Sequence, residues 1–224
     1  SVPGFKASDH HALASDKVRF VGECIVACVG VDRAAAEDLA DKIVANIEEL
    51  PALTDPLAAR DAPVSLVHDA WGDNVFVQAD IQGGDIESVR DAPVVVTRDY
   101  RMNRQSIVPL EARAVLAYWD ERASELVVYL STQIPHLMRT GLSEVLGLPV
   151  HKLRIIAPDV GGGFGGKARL MPEEIVVCAI ALDTGKPIRW LEDRREHLMA
   201  APQAREHVYR ITAYANRQGV IKGI

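Results

Sequence analysis

The sequence predicts a mixed α/β protein of the α+β kind, with a mostly antiparallel middle followed by an α/β unit in which strands and helices alternate. Three observations carry this reading. Alternating or β-branched runs dominate the middle, from Val75 to Leu130. Two runs with apolar residues at helical spacing follow, one after Pro135 and one from Met171 to Leu182. Between them lies the loop Asp159–Lys167, which holds five of the chain's sixteen glycines.

Taken in order, Val18 to Val29 is apolar and rich in β-branched residues, which reads as a buried strand interrupted at Gly22, with Cys24 and Cys28 as core cysteines on one face. Asp32 is the expected N-cap of a helix from Arg33 to Ile47, where Ala36, Leu39, Ala40, Ile43 and Ile47 recur at helical spacing. Pro51 to Pro63 has no period and reads as a connecting segment. Strands are expected over Val75–Ile81, Pro93–Thr97, Ala114–Trp119 and Leu126–Leu130, the last two flanking a polar turn, so that the middle of the chain is mostly antiparallel. Ser131 or Thr132 is a candidate cap for the helix that Pro135 opens. Met138, Leu142 and Val145 form its expected buried stripe, and Gly147 and Pro149 its stop. Lys152–Ala157 and Ile188–Leu191 read as strands on either side of the glycine loop and its following helix, which Gly185 and Pro187 close. Val208 to Ala215 alternates, Asn216–Gly219 turns, and a return strand begins before Ile224. A start at Ser1 and a stop within that hairpin read as a segment of a longer chain.

Composition narrows the function classes. Of 224 residues, 48% are hydrophobic and 25% charged, the balance of an ordinary globular protein with a substantial core. A formal charge of −6 and the lack of any Lys/Arg-rich run argue against general nucleic-acid binding. Three cysteines are too few and too odd for a disulfide framework, which fits a reducing, cytoplasmic setting. No apolar run reaches the roughly 20 residues a membrane span needs.

The glycine loop admits several chemistries. Glycine allows close approach to the main chain, and a helix starting directly afterwards would add the unpaired N–H groups of an anion site. Gly161, Gly166 and Lys167 satisfy the spacing of a nucleoside-triphosphate loop, but Ala168 stands where a magnesium-binding hydroxyl belongs. A dinucleotide fingerprint can be threaded through the same glycines without a clear acidic ribose partner. Elsewhere, Glu192–Glu196 mixes charges as a solvated strand end, Asp9-His10-His11 reads as a terminal tail rather than a metal cluster, and His197 and His207 have no evident nucleophile partner.

Four blocks taken together are more specific: Ser131-Thr132-Gln133-Ile134-Pro135-His136, Leu146-Gly147-Leu148-Pro149, Pro158 through Lys167, and Trp190 through His197. In order and spacing they resemble the molybdopterin-binding large subunit of the xanthine dehydrogenase, aldehyde oxidase and aerobic carbon monoxide dehydrogenase family. The resemblance implies the end of a small hammerhead-like α/β domain over residues 1–60, a linker over 61–73, and the first part of the molybdenum-cofactor-binding domain, with mixed sheet and helices, over 74–224. It further implies that Gln133 hydrogen-bonds a terminal oxygen on molybdenum. Gly162, Gly163, Phe164, Gly165 and Gly166 would form the loop beside metal and pterin, with Phe164 walling the pocket near the molybdenum. In that family no side chain binds the metal directly, and the catalytic glutamate lies downstream of every matched block, so no residue here is assigned catalysis and the isolated chain is expected to be inactive.

The implied cofactor is molybdenum-molybdopterin, in bacterial relatives usually the cytosine dinucleotide. Its electrons would pass to [2Fe-2S] clusters and FAD on an iron-sulfur subunit and a FAD subunit, or on equivalent partner domains. The implied reaction is water-derived hydroxylation of an aldehyde, N-heterocycle or similar small substrate, or oxidation of carbon monoxide. Ala168 departs from the glutamate that purine-hydroxylating members carry, and Pro135-His136 with Arg139 leans toward the carbon monoxide dehydrogenase-like branch. A non-catalytic assembly module of such a complex and a nucleotide-binding protein are the alternative readings.

Overall fold

The computed structural model describes residues 4–224. In chain order its elements begin with α1 (Arg33–Ala40), α2 (Pro56–Asp61), β1 (Val94–Arg101), β2 (Arg104–Ser106), β3 (Ala114–Asp120), β4 (Glu125–Leu130) and α3 (Pro135–Leu146). They continue with β5 (Leu153–Ile156), α4 (Pro172–Thr184), β6 (Ile188–Leu191), α5 (Arg194–Ala200), β7 (Gln203–Arg205), β8 (Val208–Ala215) and β9 (Ile221–Gly223). Helices and mixed sheets agree with the predicted α+β class. The chain divides into two compact units, one of residues 8–74 and 107–202, the other of residues 4–7, 75–106 and 203–224.

The larger unit contains the principal core. Its sheet has the order β5-β4-β3-β6. The β3–β4 hairpin is antiparallel, as its alternating strands around a polar turn predict, and β6 joins β3 antiparallel on the other side. β5 runs parallel to β4, a pairing that needs a crossover, which α3 supplies. Val115 and Ala117 of β3 and Leu126, Val128 and Leu130 of β4 meet Met138 and Leu142 of α3 and Val177, Cys178 and Ala181 of α4 in one buried cluster. Cys178 is fully buried, and burial together with nearby Glu174 pushes its thiol up to about 12, which makes it a packing residue. Gly147 and Gly185 end α3 and α4 in the left-handed conformation that glycine favours.

In the smaller unit β1 and β8 pair antiparallel over eight residues, from Val94↔Ala215 to Arg101↔Val208, with Thr97 and Thr212 hydroxyls 2.9 Å apart. β9 returns along β8, completing the expected hairpin, and β2 pairs with β7.

Several local expectations fail for reasons of partnership. Residues 18–29 form no strand despite their composition: Val21, Ile25, Val26 and Val29 are exposed, Cys24 and Cys28 only half-buried, and no described segment pairs with them. β-propensity yields a strand only where an edge is available. Among the described residues, Val75–Ile81 likewise makes one isolated bridge, Phe5 to Val77, and no strand. The first helix is capped by Asp32 as predicted, through Ala35 N–H at 2.9 Å, but it ends at Ala40 rather than Ile47. No residue of α1 is buried, and a short helix without a packed face has little to propagate it. The 51–63 segment contains α2, capped by Asp55. Val145 is exposed; the α3 stripe is instead Met138 and Leu142, with Leu146 partly buried. Asp9-His10-His11 is not a loose tail, because Asp9 pairs with Arg19 and His68 while His10 pairs with the buried carboxylate of Glu23. No described helix is long and apolar enough to cross a membrane.

Candidate functional site

The glycine loop joins β5 to α4 as a run of tight turns. Gly162 N–H donates to Val160 O at 2.9 Å, Gly166 N–H to Gly163 O at 2.7 Å, and Ala168 N–H to Gly165 O at 3.3 Å. Gly162 and Gly165 have φ of +96° and +86°, closed to ordinary side chains. Phe164 is a non-glycine residue with φ +49°, and it is 76% exposed. Left-handed backbone in an aromatic residue is uncommon and concentrates at ligand sites.

The β4–α3 junction lies directly against this loop. Ser131 and Thr132, expected as caps, are used otherwise: Ser131 Oγ accepts from Ala114 N–H at 2.8 Å, and Thr132 Oγ1 donates to Lys167 O at 3.3 Å. The helix cap is Ile134, without a side-chain cap bond. Gln133 N–H donates to the same Lys167 carbonyl at 3.0 Å, and Gln133 Oε1 accepts from Gly165 N–H at 3.0 Å. A Cβ at position 163 would lie 2.5 Å from Gln133 Cδ and Oε1, so the amide occupies the space that glycine leaves. With Oε1 held, Gln133 Nε2 has no protein acceptor among the described residues. The structure thus brings Gln133 together with Gly163, Phe164 and Gly165. Gly166 is drawn into the same turn, and a Cβ at Gly162 would sit 2.9 Å from the Phe164 ring.

A triphosphate cradle is not built here. Lys167 is 3% exposed, and its Nζ donates to Glu111 Oε1 at 2.8 Å instead of standing ready for an anion. The following helix starts at Pro172, beside the expected Met171, so residues 168–171 separate the loop from the unpaired N–H groups of the helix end.

Comparison with known proteins decides the family. Residues 67–224 match the model of the molybdopterin cofactor-binding domain. The chain belongs to this family. It is 36% identical to the nicotine 6-hydroxylase large subunit of Paenarthrobacter nicotinovorans over 223 residues, 99% of this chain and 27% of that one. It is 30% identical to the carbon monoxide dehydrogenase large chain of Hydrogenophaga pseudoflava, over 95% of this chain and 28% of that one. Among solved structures, quinoline 2-oxidoreductase from Pseudomonas putida 86 superposes with a TM-score of 0.86 at 32% identity, over 98% of this chain and 28% of that chain. The molybdopterin-domain chain thus spans a little over a quarter of the length of these relatives.

The same unit of this molybdopterin-domain chain holds a buried charge cluster. Arg113, 2% exposed, donates to Glu192 Oε1 from Nε at 3.0 Å and from Nη2 at 2.7 Å, and to both Glu173 oxygens at 3.0 and 3.1 Å. Glu192 also accepts from Arg113 N–H and from His197 Nδ1, each at 2.9 Å. Burial alone would raise the Glu192 carboxyl, but these bonds outweigh it and hold it below the usual carboxylate range. The charge run Glu192–Glu196 is therefore not a solvated strand end. Glu192 is buried, and Asp193 with Glu196 forms a reciprocal cap on α5, at 2.7 Å in each direction. His197 joins the same cluster. Glu111 and Arg113 carry no local motif; the partners of their side chains lie 50 to 79 residues away in sequence.

Glu174, on α4 beside this cluster, is pushed up to about 7, first by burial and against the Met171 N–H that it accepts. A carboxyl with a raised folded value binds its proton more tightly folded than unfolded, so stability falls as pH rises from about 4.5 to about 7. Glu174→Gln keeps an acceptor for Met171 and removes this titration. The wild type is expected to lose on the order of 3 kcal/mol relative to Glu174→Gln between pH 4.5 and 7.5, read from denaturation midpoints across that range. Equal slopes for the two proteins contradict the assignment.

Proposed function

We propose that this chain is part of a molybdenum hydroxylase large subunit and forms one wall of its cofactor site. Gln133 and the loop residues Gly162, Gly163, Phe164, Gly165 and Gly166 position molybdenum-molybdopterin there. The observation that carries this is the Gln133 amide, whose oxygen is fixed by Gly165 N–H while its Nε2 keeps both hydrogens for a ligand. The residues fit the group: Gly162 and Gly163 let the Phe164 ring and the Gln133 amide close onto the turn, a Cβ at Gly165 would meet nothing within 4 Å, and the exposed Phe164 would supply a flat apolar wall to the cofactor. When bound, the cofactor supplies the two-electron chemistry that moves water-derived oxygen to a carbon centre. The contribution of this chain is orientation: Gln133 Nε2 would serve as a hydrogen-bond donor to the bound cofactor, and the loop fixes where that donor stands.

On this reading residues 1–60 close a hammerhead-like domain, 61–73 connect, and 74–224 open the cofactor-binding domain. The remainder of the subunit supplies the catalytic base and the substrate side. The cofactor is the cytosine dinucleotide form, and electrons leave through [2Fe-2S] and FAD on partner subunits of a cytoplasmic hetero-oligomer. The substrate class is an aldehyde, an N-heterocycle or carbon monoxide. Relatives named for nicotine hydroxylation and for carbon monoxide dehydrogenation support that range, and Ala168 weighs against purines.

Gln133→Glu tests the role of the amide. A glutamate keeps an oxygen for Gly165 N–H but replaces the outward donor with an acceptor. The variant is expected to keep its molybdenum, to shift the molybdenum K-edge absorption, and to lose about 10- to 100-fold in turnover. An unchanged edge and unchanged turnover argue against Gln133 as the donor.

A further inference from the structure

We propose that Glu111 is the positioning residue of this site, stapling both ends of the glycine loop so that Gly163 and Gly165 are presented to Gln133. Its carboxylate takes Gly161 N–H on Oε2 at 2.8 Å, at the start of the loop, and Lys167 Nζ on Oε1 at 2.8 Å, at its end. Its own N–H donates to Gly161 O at 3.3 Å. The approach is close: a Cβ at Gly161 would lie 2.6 Å from Glu111 Cβ. Lys167 in turn offers its carbonyl to Gln133 N–H and Thr132 Oγ1, so the end of the loop that Glu111 holds is the end that carries Gln133. Tying residues 161 and 167 together removes the freedom of the loop between them.

Glu111 is itself held from behind. Arg194 Nη2 donates to Pro109 O at 2.8 Å and Leu110 O at 3.0 Å, and His197 Nε2 donates to Ile107 O at 2.5 Å. His197 is anchored on Glu192, which Arg113 neutralises. The 107–111 segment is therefore a strap, fixed to the buried charge cluster on one side and closing the loop on the other. Hydrogen bonds from Lys167 and Gly161 outweigh the burial that would raise the Glu111 carboxyl and hold it below the usual range.

The pair is asymmetric. The Lys167 side chain is 1% exposed and that of Glu111 39%, so removing the carboxylate strands a buried cation, whereas removing the cation leaves a carboxylate with access to water. Glu111's consequence for cofactor retention rests on the function proposed above; its consequence for the loop does not.

Hydrogen exchange of the loop amides, measured on the assembled protein with and without cofactor, separates these. Glu111→Ala is expected to speed exchange at residues 161–168 by about tenfold or more, Lys167→Met by less because Glu111 still holds Gly161 N–H, and the double variant no more than Glu111→Ala alone. Lys167→Arg, which keeps the charge, stays near wild type. Loop exchange in Glu111→Ala within about twofold of wild type overturns the staple, as does acceleration spread evenly over the β3–β6 sheet. Molybdenum content is read on the same samples. A parallel fall supports the staple and the cofactor wall together; a loosened loop at full molybdenum content supports the staple and overturns the wall.

Discussion

Gly163→Ala is expected to cut the molybdenum content of the purified protein by about 10- to 100-fold while changing its stability by less than about 1 kcal/mol. The two effects separate because of what the new methyl meets. Its Cβ would lie 2.5 Å from Gln133 Cδ and Oε1 and 2.7 Å from Cγ, the outer atoms of a flexible, exposed side chain. Gln133 can swing away at little cost to the fold, but it then releases Gly165 N–H and no longer presents Nε2. The neighbouring glycines give a different result. Gly162 and Gly165 have positive φ, so alanine strains the backbone at either position. Gly163→Ala combined with Gln133→Ala is expected to lose no more molybdenum than the worse single variant, because both remove one interaction. Full molybdenum content in Gly163→Ala contradicts a role for the Gln133–Gly165 contact in holding the cofactor.

Arg113→Met has the largest expected effect on folding, a loss of about 3–5 kcal/mol. Methionine fills comparable space, so the cost is electrostatic: Glu192, whose side chain is fully buried, and Glu173, 14% exposed, lose the guanidinium that bridges them. The guanidinium also lies 5.2 Å from the Trp190 ring centroid, which makes Trp190 fluorescence a local reporter of the change. Denaturant titration should show a lowered midpoint at an unchanged slope. Adding Glu192→Gln should recover part of the loss by removing the stranded charge. A change below about 1 kcal/mol contradicts a structural role for the cluster.

What the sequence made legible was what its neighbours in sequence decide. The β3–β4 hairpin, α3 with its proline start and glycine stop, β6, and the β8–β9 return were readable because period and turn chemistry are local. Gln133 and the glycine turn were readable only through the resemblance of whole blocks, and the fold brings them together. The failures are non-local. Val18–Val29 has the composition of a strand but no described partner. Glu192 follows one sheet strand and Arg113 precedes another, and only the β3–β6 pairing brings them together. Glu111, fifty residues before Gly161, has no periodic signature at all. Buried charge is hidden from a linear reading because its neutralising partner lies elsewhere in the chain.

The central claim, that Gln133 and the glycine loop form a wall of a molybdopterin site, is tested most directly by the composition of the native assembled protein. Metal analysis together with pterin fluorescence after oxidation should find roughly one molybdenum and one pterin for each copy of this chain. A fully assembled, folded protein that contains neither contradicts the claim.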